Sequence, residues 1–420
     1  MERAPLSYQQ QETIGNLRVH ETAAQRFDGV WLFALEGAVR VDCLVAAIED
    51  LVAHHPALRT SVRDDHQCVH APGAIEAVEL DEGSGTADQL AQSLLSSRYH
   101  LDDVLSGRPL FRGRIHRRAE ECLFSVSIHH LIYDGWSMEI LWRDLSACYA
   151  ARLEGRTAAL PVTRKSYAEI AREQQAAHAR GLDAAVSDYR QVIGDCDGVV
   201  RWPAPSETYR GSPTDVGTTE LKVPAEVESR VRAISGQTRV PPFVVLMAAT
   251  AAGISRVTGV PDILVGVDSA NRDDPLLHEI IGFLLNTRVV RLPCADHQNL
   301  QGLVQAVREP WMRTADLGHI HYQQALEKLG SPDFVKVNMH NLAKDWSKQL
   351  QQPDLPGVHV REVPIEIPQL TWRDAAVFWF LDGNAYSAVV NHRLAAVSPE
   401  TAARLRNEIL DVLASGRLRP

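Results

Sequence analysis

The sequence predicts a mixed α/β fold made of two α/β sandwiches. Three observations carry this reading. Segments of strand period and helix period interleave along the chain, and they do so in both halves. Between the halves, the stretch 197–218, with Trp202-Pro-Ala-Pro and Gly211-Ser-Pro, reads as an irregular crossing. A length of 420 residues leaves room for two or three packed units.

Taken in order, Val30 to Leu35 is apolar and aromatic and predicts a strand. Asp42 then opens a helix whose stripe is Leu44, Val45, Ile48, Leu51 and Val52. Pro109 to His116 alternates Leu110, Arg112, Arg114 and His116 against Phe111, Gly113 and Ile115, which predicts a strand with one solvated face. Cys122 to His130 is the next strand, and a helix follows from about Ser137 to Leu153, with Ile140, Leu141, Leu145 and Tyr149 along one side. Residues 162–192 read as a helix with one polar face. The second half offers helices near 225–234 and 242–257. Its strands fall at 263–267, 288–292, 334–339, 375–381 and 386–391. Ser398, Pro399 and Glu400 supply a cap, a first-turn Pro and an acid, so a last helix should run to about Ala414, with Gly416 beyond it.

Composition narrows the function classes. The net charge of −10 argues against a surface that attracts nucleic acid or anionic membrane. Met1 to Gln11 carries no signal-peptide core, and the longest apolar run, Phe243 to Ile254, is too short to span a bilayer. A cytoplasmic protein is expected. The six cysteines are far apart, without the close spacing of a zinc knuckle or redox dithiol, and read as buried small hydrophobes.

The chemistry concentrates in His129-His130-Leu131-Ile132-Tyr133-Asp134-Gly135-Trp136-Ser137. Strand alternation places His130 on the apolar face of Phe124, Val126 and Ile128, and His129 on the face of Ser125 and Ser127. On an apolar face a neutral imidazole is favoured, and it can accept a proton from a nucleophile. Asp134 precedes a glycine that would permit a sharp turn, and its carboxylate could hold the loop or orient a histidine. Two readings stay open on these residues alone: a structural histidine pair, or a general base. A metal would need a third ligand, from His319 and His321 or from His54 and His55, and no zinc-protease helix motif occurs, so no metal is expected. No serine-hydrolase elbow, phosphate loop or dinucleotide fingerprint is present.

His129-His130-x-x-x-Asp134-Gly135 resembles the signature of nonribosomal peptide synthetase condensation domains, a motif shared with other acyl-CoA and acyl-carrier-protein dependent transferases. Further stretches follow in family order. They are Leu6-Ser7-Tyr8-Gln9-Gln10, His55-Pro56-Ala57-Leu58-Arg59-Thr60, Ser166-Tyr167-Ala168, and Ala270-Asn271-Arg272 with Ile281-Gly282-Phe283-Leu284-Leu285-Asn286-Thr287. The plant-type Asp-Phe-Gly-Trp-Gly motif is absent. Glu12 and Ile14 replace the usual Arg and Trp of the first motif, and the sixth and seventh motifs, at 321–325 and 331–340, match loosely.

The resemblance implies two chloramphenicol acetyltransferase-like α/β subdomains in a V-shaped pseudo-dimer with a central tunnel. Residues 1–175 would form the N-terminal subdomain carrying the signature. Residues 176–420 would form the C-terminal one with a floor loop and latch. It implies transfer of an acyl or aminoacyl group, which a polyketide could supply, from a phosphopantetheinyl carrier-protein thioester to an amine or alcohol, giving an amide or ester. His130 and Gly135 would be catalytic, the first by removing the acceptor's proton or by holding the acceptor and stabilising the tetrahedral intermediate, and the second through its backbone N–H. His129 would hold the loop, and Asp134 would pair with Arg272 from the other half. Tyr133, Trp136 and Asn338 would face the substrate tunnel. The expected cofactor is only the phosphopantetheine of a partner acyl or peptidyl carrier protein, and the expected state is a monomer. With no adenylation domain or carrier motif after the last helix, a free-standing enzyme is expected. Rival readings are an acyl-CoA-dependent acyltransferase, an inactive condensation-like module that recruits carrier proteins or tailoring enzymes, and an epimerase relative.

Overall fold

A computed structural model describes residues 1–19, 28–82, 86–96, 99–117, 122–203, 209–212, 215–341, 352–365 and 373–419. These form two compact units. The first holds residues 1–176 and 270–285 with the described part of 345–368, and the second holds the remainder.

In chain order the first unit starts with β1 (Glu2–Pro5), α1 (Tyr8–Val19), β2 (Asp28–Gly37), α2 (Val41–His54), β3 (Thr60–Arg63), β4 (His66–Val69) and β5 (Val78–Asp81). It continues through α3 (Ala87–Ser96), α4 (Leu101–Leu105), β6 (Phe111–Arg117), β7 (Cys122–His129) and α5 (Gly135–Leu153) into the start of α6 (Tyr167–Ile193). The second unit takes the rest of α6, then β8 (Val216–Lys222), α7 (Ala225–Thr238), α8 (Pro242–Thr258), β9 (Asp262–Ser269), β10 (Asn286–Pro293), α9 (Leu300–Asp316), α10 (Tyr322–Glu327) and β11 (Val335–Asn341). After β12 (Val358–Glu362), which belongs to the first unit, come β13 (Ala375–Asp382), β14 (Ala385–Arg393) and α11 (Pro399–Ser415).

The first unit is built on a five-stranded sheet in the order β12-β2-β7-β6-β5, beside a small sheet β1-β4-β3. Alternation along β7 serves two cores. Phe124, Val126 and Ile128 pack with α2 and α5 through Leu44, Ile48, Leu51, Leu141 and Trp142. Leu123, on the opposite face, joins Leu32 and Ala34 beneath Leu90, Ala91 and Leu94 of α3. Both faces of the sheet are thus covered. That coverage corrects the reading of β6 as half-solvated at His116. Its ring is buried, with Nδ1 2.9 Å from Asp81 Oδ2 and Nε2 3.2 Å from Ser125 Oγ.

The second unit is a six-stranded sheet in the order β10-β9-β11-β13-β14-β8. Its helices lie on the face of Ile263, Val265, Val290, Val337, Val377 and Val390. Helix α8 is buried nearly all round, from Val244 to Ile254, as its uninterrupted apolar run requires. Gly416, at φ +71°, caps α11 where the sequence placed it. Of the expected crossing, 204–208 and 213–214 lie outside the described residues, and β8 already starts at Val216. No single helix among the described residues is long and apolar enough to cross a membrane. The bent pair α7 and α8 meets that test by composition, with α8 enclosed in the core.

Candidate active site

The site grows from the end of β7. His129 N–H donates to Leu110 O at 2.9 Å, and the chain then tightens into a 3-10 turn, His130–Ile132. Leu131 and Ile132 anchor the turn with fully buried side chains. The burial of the two histidines is the reverse of the sequence expectation, with His129 still within β7 and His130 past its end. His129 is the sealed one, 0% exposed, and His130 is half-buried. His129 Nδ1 accepts from Leu131 N–H at 3.2 Å, so its ring is neutral with the proton on Nε2. Burial, with a smaller push from His130, lowers its pKa to about 3.

The His130 ring sits 4.4 Å from Phe283 and 4.9 Å from Tyr133, centroid to centroid. Tyr133 is mostly buried and meets Trp31 edge-on at 6.2 Å. Gly29 makes room for it. A Cβ there would stand 2.4 Å from Tyr133 Oη and 2.5 Å from the Trp31 ring.

Asp134 caps α5. Its Oδ1 accepts from Ser137 N–H at 2.9 Å, and Ser137 Oγ returns the bond by accepting from Asp134 N–H at 3.2 Å. Arg272 Nη2 lies 2.9 Å from Oδ1 and 3.1 Å from Oδ2, and Leu284 N–H donates to Oδ2 at 3.1 Å. Arg272 also donates from Nη1 to Leu277 O (2.6 Å) and Ile280 O (2.8 Å). Asn271 enters this segment at φ +54°, a left-handed conformation that Asn tolerates.

The ion pair was expected to join the two halves. Instead it lies within the first unit, because Arg272 and Leu284 draw segment 270–285 onto Asp134 and Ser137. Gly135 is corrected as well. It is the first residue of α5, its φ is not positive, and a Cβ on it would meet nothing within 4 Å. No turn requires glycine there; its missing side chain leaves open space. Trp136 is held by its indole N–H on His278 O at 3.0 Å, with Arg272 5.7 Å above its ring.

Asn338 is bonded to Asp268. It is 8% exposed in the second unit, accepting from Asp268 N–H at 2.8 Å and donating to Asp268 Oδ2 at 2.7 Å. Burial alone would raise the Asp268 carboxyl, but Lys336, Asn338 and Thr287 more than offset it and hold it below its usual range.

A model of the condensation domain matches residues 6–368. The chain belongs to the condensation-domain family. This condensation domain is 30% identical over 408 residues to a nonribosomal peptide synthetase of Curvularia clavata, covering 92% of this chain and 3% of that protein. It is 26% identical over 407 residues to the beauvericin nonribosomal cyclodepsipeptide synthetase of Beauveria bassiana, covering 92% of this chain and 12% of that one. The chain thus spans a small fraction of these curated relatives. Among solved structures, the X-domain from teicoplanin biosynthesis, in complex with OxyB, superposes with a TM-score of 0.83 at 20% identity. That match covers 99% of this chain and 95% of that one. The condensation domain of the monacolin K polyketide synthase gives 0.76 at 16% identity, covering 99% and 97%. These likenesses establish the mixed α/β fold, and the family establishes a condensation-type role.

Sequence reasoning quoted Ser7, Gln10, Ser137, Tyr167, Gly282 and Phe283 within motifs but gave their side chains no task. The signal for Ser137 was present as Asp134-x-x-Ser137, the spacing of a helix N-cap.

Proposed function

We propose that this condensation domain transfers an acyl or aminoacyl group from a carrier-protein thioester to an amine or alcohol, with His130 as proton acceptor. One observation carries the reading. His130 alone of the two histidines is half-buried, with its ring walled by Phe283 and Tyr133. A general base must reach the proton it removes, and the sealed His129 cannot. Asp134 spends its carboxylate on Arg272, Ser137 and Leu284, so its task is to fix the turn that carries His130.

The acceptor's lone pair attacks the thioester carbonyl carbon while His130 takes the acceptor proton. Collapse of the tetrahedral intermediate breaks the C–S bond, and the thiol leaves with that proton. The thioester is already activated, so no covalent enzyme intermediate is required. The open space over Gly135, at the start of α5, suits approach of a carbonyl oxygen to a backbone N–H. The donor thiol is the phosphopantetheine of a carrier protein, and the enzyme acts on it as a monomer in the cytoplasm.

The test is turnover with a loaded carrier protein and with the matching coenzyme A thioester, for wild type and His130→Ala. A loss of roughly 10²–10⁴ in kcat with an unchanged melting temperature is expected. Near-wild-type turnover by His130→Ala refutes the assignment, and equal use of the coenzyme A thioester favours a coenzyme A-dependent enzyme. A second reading, recruitment without catalysis, draws on the likeness to an X-domain solved with OxyB. It requires carrier or partner binding with no product from any donor.

A further inference from the structure

Helix α1 opens with a capping box. Gln10 N–H donates to Ser7 Oγ at 3.1 Å, and Ser7 N–H donates to Gln10 Oε1 at 2.9 Å. Those two bonds suffice to cap a helix, yet each side chain reaches on to a second segment. Gln10 Nε2–H donates to Leu131 O at 2.8 Å, one residue beyond His130. Ser7 Oγ lies 2.7 Å from Tyr167 Oη, and Tyr167 Oη–H donates to Phe283 O at 3.0 Å. A phenol carries one proton, so Ser7 must be the donor to Tyr167. The bonds then run in one direction, from Gln10 N–H through the Ser7 and Tyr167 hydroxyls to the Phe283 carbonyl.

Burial fits this order. Ser7 and Gln10 are both 0% exposed, and the sealed Tyr167 phenol is pushed far above its usual pKa, so it stays a neutral donor. Gly282 gives the Tyr167 ring its place, since a Cβ there would stand 2.8 Å from two ring atoms. The same end of one helix therefore holds two carbonyls, Leu131 O and Phe283 O, and their chain segments carry the His130 and Phe283 rings that meet at 4.4 Å.

We propose that Ser7, Gln10 and Tyr167 are positioning residues for His130, fixing the separation between the turn that bears it and the loop that bears Phe283. The inference rests on the reading of His130 as proton acceptor, but its geometric content can be measured apart from turnover. The experiment follows diethylpyrocarbonate modification of His130 by peptide mass spectrometry, with the exposed His66 as internal reference. It compares wild type, Tyr167→Phe, Gln10→Met and Ser7→Thr, alongside melting temperature, kcat and KM. Tyr167→Phe cuts the link to Phe283 and leaves the α1 cap whole; Gln10→Met cuts the link to Leu131 together with the cap bond from Ser7 N–H.

Both are expected to raise the His130 rate at least threefold against His66, and to lower kcat roughly ten- to hundredfold with KM within about twofold. Ser7→Thr keeps the hydroxyl and should retain wild-type values. Should Tyr167→Phe fail to fold, Gln10→Met and Ser7→Thr carry the comparison. An unchanged His130 rate in the folded variants overturns the proposal. With His130→Ala inactive, that result leaves the functional reading standing. A fully active His130→Ala sinks the functional reading, while the modification rate still decides this one.

Discussion

Replacing Arg272 by alanine should unfold the first unit more readily than any change at His130. The Arg272 and Asp134 side chains are 1% and 2% exposed, and the guanidinium also bonds the carbonyls of Leu277 and Ile280. Without it, Asp134 keeps the N–H groups of Ser137 and Leu284 but loses its counter-charge, and the carbonyls of Leu277, Ile280 and Gly282 each lose a donor. Breaking a buried pair from one side costs about 3–5 kcal/mol, and unmet carbonyls raise that, so a loss near the top of that range is expected. For a unit of roughly two hundred residues this corresponds to a melting point lower by about 10–20 °C. Urea unfolding of wild type, Arg272→Ala, Asp134→Ala and the double variant completes a cycle. The double variant should cost clearly less than the sum, because it leaves no uncompensated charge. A single-variant loss below about 1 kcal/mol, or simple additivity, would refute the reasoning.

Three further outcomes are expected. His129, held near pKa 3 when folded against 6.5 when not, contributes stability that is complete above about pH 6.5. Each pH unit below that should remove about 1.4 kcal/mol down to about pH 3, since only the unfolded chain takes the proton. His129→Gln should flatten this acid slope in urea titrations, and equal slopes would count against it. Gly135→Ala places its methyl in open space, so the melting temperature should hold within about 2 °C, typical of a substitution that touches no packed or bonded group, while turnover falls; full activity would remove Gly135 from the catalytic account. Asn338→Ala breaks two bonds to Asp268 and should cost about 1–3 kcal/mol in stability with KM unchanged, and a selective rise in KM would support a substrate role.

Much of the fold was legible because its signals are local. The apolar run of α8, the Ser398-Pro-Glu start of α11 and the alternation of Phe124, Val126 and Ile128 each state their element within a few residues. Assignment of segments to units was not legible in that way. Residues 270–285 belong to the first unit because Arg272 finds Asp134, 138 positions earlier in the chain, and no periodicity encodes such a pairing. The expectation for His130 failed for a narrower reason. Period-2 alternation holds only while the strand lasts, and β7 stops one residue before His130. Burial of His116 was hidden similarly, since its partners Asp81 and Ser125 sit on neighbouring strands.

Burial divides the signature by task. His129 is sealed and neutral, Asp134 is enclosed by Arg272, Ser137 and Leu284, and both are consumed in holding the turn. Only His130 and Gly135 retain access to solvent. Substitutions at the first pair should therefore appear as instability, and at the second as lost turnover in a folded protein. Measuring melting and rate on the same four variants separates these tasks, because a module kept only for recruitment would show the first effect without the second.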